Sequence, residues 1–461
     1  MIVVYGLAIA GAATVRALQA RGEHVVAVDD RIDAATRAVA ADLDVELIAP
    51  PDDAALGALV AAADLVVPAP GVPETHRLFP IAAATGSEVV SELELAYRWE
   101  QERPGGPRPM LAVTGTDGKT TTTLLAVDML AAGGLRSVAA GNTDVPLVEA
   151  LDLAVDVFVV ECTSFRLAWT REFRADVAAW LNLAPDHLNW HTGMDSYIAA
   201  KARMFDQQRS DDVAIGAVAD PIVMAHLAVA PARHRTFGLR GADYEVRGSG
   251  PDAVLTGPQG ELAAVASMRR ALPHDRTNGL AAAALVLERG LVTPAAVAAA
   301  LASFTGPPHR IELVADAGGV RWYNDSKATT PHAASTAIRA FDHVVLIAGG
   351  LNKGLDLAPM AAEPQRLRGV VAIGEAADLI AATFAGAAPI VRADTMADAV
   401  ERAGALAEPG DVVLLSPGCA SFDWYPAGGY PARGDDFRRL VRERVSIPHG
   451  AEAPATSGAG A

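Results

Sequence analysis

The chain has 461 residues, room for about three domains at roughly 150 residues each. Its net charge is −17, from 38 basic and 55 acidic side chains, which excludes a protein built to grip nucleic-acid phosphates and disfavours anionic membrane surfaces. With 51% hydrophobic residues and only two cysteines, Cys162 and Cys419, a soluble globular protein without a disulfide framework is expected, in a reducing compartment, the cytoplasm.

The run from Met1 to Gly6 lacks the basic start of a signal peptide. Apolar strands are predicted at Ile2–Tyr5, His24–Val28 and Leu65–Pro68, with a helix over Ala10–Ala20, the pattern of a parallel sheet covered on both faces. Gly6 to Gly11 reads G-x-A-x-x-G between strand and helix, and Asp29-Asp30 end the next strand; alone this is a weak dinucleotide-type signal. Gln101–Pro109, rich in Pro and Gly, breaks every periodicity and reads as a linker and hinge.

A second α/β unit begins at Met110, with strands predicted at Met110–Val113, Val157–Val160 and Ala178–Leu183. Residues 236–265 suggest a small antiparallel insert, followed by helices over Thr277–Glu288 and Pro294–Phe304. The uncharged stretch Gly290–Pro308 is broken by prolines and reads as a short buried helix, not a membrane span. Gly306–Pro308 marks a second boundary and hinge. Strands at Val344–Ala348, Gly369–Ile373 and Val412–Leu415 form a third unit, and 447–461 reads as a disordered tail.

The strongest motif is Gly115-Thr116-Asp117-Gly118-Lys119-Thr120-Thr121, between a strand and a helix. Such glycines let backbone N–H groups curl round phosphate, a lysine reaches the outer phosphates, and a threonine hydroxyl can hold Mg²⁺. Glu161, just past a predicted strand, stands at the carboxyl edge where α/β sheets bind ligands and could hold Mg²⁺, or serve solubility alone. His187, in a loop after the next strand, is a candidate metal ligand or simply a polar residue. Lys201 lies on a helix among apolar neighbours, either snorkelling or with a pKa lowered by burial for covalent chemistry. Arg310 beside the second hinge could bring a cation to a transferring phosphoryl group, while Asn324 to Lys327 could equally be a turn. Ser416 to Asp423, small residues ending in Ser421, Phe422 and Asp423, suits carboxylate capture at a helix start, or a plain strand-to-helix turn.

In this order, the phosphate loop, Glu161, Asp186-His187, Lys201, Asn278, His309-Arg310 and the block from Asn324 to Thr329 resemble the Mur ligase family, ATP-dependent amino-acid ligases of peptidoglycan precursor synthesis. Within it, Pro308 to Glu312, Gly349-Gly350 and the block from Ser416 to Asp423 look like the branch that adds D-glutamate. Asp117 departs from the family's usual Asn, and Thr163 and Arg166 from its usual Ser and Gln.

The resemblance implies three α/β domains: a Rossmann-like parallel sheet over 1–103, a central P-loop ATPase-like domain over 104–306, and a Rossmann-like domain over 307–446. It implies glutamate addition to UDP-N-acetylmuramoyl-L-alanine through an acyl phosphate, by a monomer with small-molecule partners only. ATP would lie on Gly115–Thr121, Asn278, Arg310 and Asp325. Thr120 and Glu161 would hold one Mg²⁺, and His187 with a carbamylated Lys201 a second. Gly6, Gly11, Asp29, Asp30, Gly71 and Asn142 would hold the UDP-linked acceptor. Lys327, Thr329, Lys353, Ser421 and Phe422 would frame glutamate. Lys119, Glu161, His187, Lys201 and Arg310 would carry the chemistry. Another ligase of the same architecture, including folylpolyglutamate synthetase, or a non-catalytic nucleotide-binding regulator, are the alternatives.

Overall fold

The computed structural model describes residues 1–49 and 52–446; the tail expected over 447–461 lies outside them. Two compact units divide the chain, one over Met1–Phe304 and a second that begins at Thr305. The first unit holds two parallel sheets. Strands β1 (Ile2–Tyr5), β2 (Val25–Val28), β3 (Glu46–Ile48) and β4 (Leu65–Pro68) run in the order β3-β2-β1-β4. Strands β5 (Met110–Thr114), β6 (Ser137–Gly141), β7 (Val157–Glu161), β8 (Val177–Trp180), β9 (Val213–Ala217) and β10 (Arg233–Phe237) run in the order β10-β9-β8-β5-β7-β6. Every residue of β1, β2, β4, β5 and β7 to β9 is buried, which is why these strands read as unbroken apolar runs. Strand β3 has no such run and was not predicted; its Glu46 is exposed at the sheet edge.

Three antiparallel strands, β11 (Glu245–Arg247), β12 (Val254–Gly257) and β13 (Gly260–Ala264), form the expected insert. Helices Pro273–Leu287 and Pro294–Ser303 pack on the phosphate-loop helix, Lys119–Ala132, both opened by a proline where no N–H is needed. In the linker between the two sheets, Arg108 is tethered rather than loose: it pairs with buried Glu100 at 2.7 Å and donates to the carbonyls of Leu151 and Leu153.

The second unit holds β14 (Glu312–Ala317), β15 (Val320–Asn324), β16 (Val344–Gly349), β17 (Leu367–Ile373), β18 (Ile390–Ala393) and β19 (Val412–Gly418), in the order β14-β15-β19-β16-β17-β18. The β14–β15 hairpin is antiparallel and was missed, because half-buried β14 lacks an apolar run.

In each main sheet the strand order reverses at one strand flanked by two later ones: β1 between β2 and β4, β5 between β7 and β8, and β16 between β17 and β19. Ligand crevices form beyond the carboxyl ends at such reversals. The segments after these strands carry Gly6, Gly115–Thr121 and Gly350 to Lys353.

Candidate active site

Strand β5 delivers the phosphate loop, and the helix Lys119–Ala132 begins inside it. Its first-turn N–H groups have no acceptor within the helix and so form an anion site. Gly118, with φ 83°, adopts a conformation that favours glycine, and a Cβ there would lie 2.6 Å from Asn278 Oδ1. The glycine is thus favoured by φ, and a Cβ would also crowd the Asn278 side chain. Asn182 holds the loop from the end of β8: its Oδ1 accepts the N–H groups of Thr116 and Asp117 at 3.0 and 2.8 Å, and its Nδ2 donates to Asp117 O. Asn182 had no role assigned from sequence because it falls inside the strand expected over Ala178–Leu183; the strand ends at Trp180, which frees Asn182 to reach the loop. Thr116 Oγ1 lies 3.0 Å from Tyr197 OH. Lys119 Nζ donates to the carbonyls of Gly115 and Thr116, while Thr120 and Thr121 follow on the first helical turn.

Glu161 is the last residue of β7, not past it as expected, and pairs in register with Val113 of β5. It is 2% exposed; Oε1 accepts from Asn142 Nδ2 at 3.0 Å, and buried Oε2 has no hydrogen-bond partner. A buried carboxylate oxygen in that state is costly unless a cation reaches it. The fit to Mg²⁺ is therefore good. Lys201, on the helix Met194–Asp206, is 1% exposed and donates to Gly115 O at 2.8 Å, the carbonyl that Lys119 also uses. Burial, reinforced by the Lys119 charge, holds its pKa well below the usual lysine value. His187 has φ 54°, lies 3.2 Å from Asp186 Oδ2, and meets the Phe165 ring edge-on at 4.5 Å. Burial, opposed by Asp186, lowers its pKa, so a lone pair is available to a metal at neutral pH. Among the described residues no group of three or more His, Cys, Asp or Glu side chains is placed to hold a metal by itself. Mg²⁺ needs no such cage, since one or two carboxylates with phosphate oxygens and water suffice.

A cleft of about 1080 Å³ opens between the ends of β1 and β4 and the central sheet, lined by Gly6, Asp29, Asp30, Gly71, Asn142 and Arg166 among others. Gly11 is not among its lining residues; a Cβ there would run into Gly6 O. Asp29 accepts from the Leu7 and Arg31 N–H groups, and Asp30 accepts from Tyr5 OH and faces His76 at 3.0 Å. Arg166 was noted in the sequence only as a departure. It is 5% exposed, donates to Asn142 Oδ1 at 2.9 Å, and faces buried Glu92.

In the second unit, Arg310 lies between His309 (φ 61°) and Ile311 (φ 44°), a costly backbone for a β-branched residue. Buried Asp325 accepts from Ser416 Oγ at 2.7 Å and from Ile311 N–H at 3.2 Å. Asn324 ends β15, so the block from Asn324 is a strand end leading into a turn, with Lys327 Nζ over the Tyr430 ring and Thr329 N–H bonded to Lys327 O. Lys353 Nζ lies over the half-exposed Phe422 ring at 5.7 Å. Ser421 is buried but opens no helix, because the next one starts at Gly429. Arg433, unassigned from sequence, is 1% exposed and donates to Ser326 and to the carbonyls of Cys419 and Ala420.

The Mur ligase middle domain matches residues 113–285, and the Mur ligase, glutamate ligase domain matches 309–419. The UDP-N-acetylmuramoylalanine–D-glutamate ligase of Frankia casuarinae is 44% identical, covering 96% of this chain and 94% of that protein. The protein of that name in Streptomyces coelicolor is 38% identical, covering 96% and 98%. A pseudomurein peptide ligase type C from Methanothermus fervidus shares the fold, with a TM-score of 0.59, 14% identity, and coverage of 96% of this chain and 99% of that one. A phosphate loop beside a buried carboxylate occurs in many nucleotide-binding proteins, but relatives this similar across nearly the whole length narrow the choice to one: the chain belongs to the Mur ligase family.

Proposed function

We propose that the chain is an ATP-dependent, ADP-forming ligase that adds D-glutamate to UDP-N-acetylmuramoyl-L-alanine in peptidoglycan precursor synthesis. The activity is that named for its relatives at 38–44% identity. The structural observation that carries it is Glu161, whose buried, unpartnered oxygen sits on the strand beside the phosphate loop.

The acceptor carboxylate attacks the γ-phosphorus of ATP, ADP leaves, and an acyl phosphate forms; the glutamate amine then attacks its carbonyl carbon and phosphate leaves. Mg²⁺, when bound, withdraws charge from the phosphoryl oxygens. Thr120 and Glu161 are assigned to one ion, and His187 with a carbamylated Lys201 to a second. The low pKa of Lys201 supports the carbamate, since a neutral amine is the form that adds CO₂. Lys119 and the N–H groups from Gly118 onward hold the phosphates, with Gly115, Thr116 and Asp117 shaping the turn. Asn278, Arg310 and Asp325 are assigned to the nucleotide. Gly6, Gly71 and Asn142 are assigned to the acceptor in the 1080 Å³ cleft. Asp29 and Asp30 shape its nucleoside end, and Gly11 backs Gly6. Lys327, Thr329, Lys353, Ser421 and Phe422 are assigned to glutamate. We divide the chain functionally into 1–103 for the acceptor, 104–306 for ATP and 307–446 for glutamate, acting as a monomer. Among the described residues no helix is long and apolar enough to cross a membrane.

ADP release should require both UDP-N-acetylmuramoyl-L-alanine and D-glutamate, with L-glutamate inactive. Acceptor-independent ATP hydrolysis alone would contradict this reading.

A further inference from the structure

Outside the residues assigned above, three segments far apart in sequence meet in one buried network. Glu74 lies in the loop after β4, Ser164 opens the short helix after β7, and His191 lies in the loop after β8. His191 Nε2 is 2.9 Å from Ser164 Oγ, and its Nδ1 is 3.0 Å from Glu74 Oε2. The His191 side chain is fully buried, Ser164 is 1% exposed, and the Glu74 side chain 15%.

The proton positions follow from the partners. Burial alone would raise the Glu74 pKa, but hydrogen bonds from Ser196 and Thr192 override it and hold the carboxyl at about 2. Ser196 has one hydroxyl proton, which goes to the Glu74 carboxylate, its nearer acceptor. His191 Nδ1 must therefore carry the ring proton and donate it to Glu74. With the Nδ1 proton donated to Glu74, Nε2 at 2.9 Å from Ser164 Oγ is placed to accept from Ser164 O–H.

This is the connectivity of a nucleophile, base and orienting acid. Buried Ser164, however, offers no path for a substrate, so the network positions rather than attacks. Its neighbours indicate what it positions. Glu74 N–H bonds Trp190 O, and Trp190 Nε1 bonds Pro70 O, which ties the cleft wall formed by Pro70 and Gly71 to the loop carrying His187. Ser164 follows Glu161 by three residues, and Phe165 beside it packs against His187 and Trp190.

We propose that Glu74, acting through His191 and Ser164, is a positioning residue that holds the acceptor-cleft wall in register with Glu161 and His187. The inference rests on the ligase reading above. It places the acceptor carboxylate, not ATP, under the control of this network.

Kinetics and histidine NMR on the full-length protein test it together. Glu74→Gln and Ser164→Ala should each raise the acceptor KM about tenfold, the size expected for one lost hydrogen bond, with the ATP KM within about twofold. The double variant should be little worse than the worse single one, because both cut the same path. Ser164→Thr, which keeps the hydroxyl, should restore near-normal kinetics. In nitrogen-15 spectra, the signal lost in His191→Asn should show the Nδ1-protonated tautomer in the wild type and change in Glu74→Gln. An unmoved acceptor KM in both variants, equal rises in the acceptor and ATP KM values, additive effects, or an Nε2-protonated ring would overturn the proposal. A wild type with no acceptor-dependent ADP release would instead remove the ligase reading, and this inference with it, even if the tautomer were as expected.

Discussion

In the first unit the phosphate loop is one contiguous run, Gly115–Thr121, held by the side chains of Asn182, Lys201 and Tyr197 and closed by Gly118, whose φ of 83° favours glycine. In the second unit the residues assigned to glutamate come from three separate segments, around Lys327, Lys353 and Ser421, backed by Arg433 on the helix Gly429–Ser446. There a buried guanidinium links Ser326 to the Cys419 and Ala420 carbonyls, while Phe422 stays half exposed. Both sites lie at the strand reversals of their sheets. On the assignments proposed above, the contrast is between a cradle preorganised for a constant ligand, phosphate, and a site assembled from distant pieces, where specificity is easier to vary.

Breaking the cradle should have the largest effect. Lys119→Ala removes a charge aimed at the developing phosphoryl charge and should cost about 3–4 kcal/mol in kcat/KM, read from ADP release by a variant with normal circular dichroism. Loss of the carbonyl contacts to Gly115 and Thr116 should lower stability by only about 1 kcal/mol. Arg433→Met should destabilise the second unit by about 1–3 kcal/mol, because carbonyls it serves become buried without a donor. Denaturant unfolding would measure this, and a glutamate KM that rises while the ATP KM holds would sharpen the contrast between the two sites.

Ser421→Ala should weaken glutamate by roughly 1.5–3 kcal/mol if the hydroxyl serves the substrate carboxylate, again without touching the ATP KM. An effect confined to ATP would dissolve the distinction drawn above. The effect confined to the narrowest conditions concerns acid stability. Glu74 has a depressed folded-state pKa, so its contribution is present above the unfolded value of about 4.3 and is lost as pH falls toward about 2. Glu74→Gln should therefore flatten the stability curve in that window and leave it parallel to wild type above about pH 6.

The same contrast explains what could be read from sequence. The Gly115–Thr121 loop was legible because its chemistry is local: glycines, a lysine and hydroxyls in one run after an apolar strand. Strands β1, β5, β7 and β19 were legible because burial on both faces makes all but their carboxyl ends apolar. The β14–β15 hairpin was not, because its edge strand is half polar. Asn182, Arg433 and the Glu74–His191–Ser164 network were not assigned, since their roles depend on partners from 13 to 117 residues away in sequence.

The central claim is that the acceptor carboxylate is activated by phosphorylation before the glutamate amine attacks it. Acceptor labelled with oxygen-18 in its alanine carboxylate, turned over with ATP and D-glutamate, tests it directly by mass analysis of the phosphate released. Transfer of one labelled oxygen to each phosphate, with none from Lys119→Ala, is the expected result. Phosphate free of label while the labelled amide product accumulates would contradict the account.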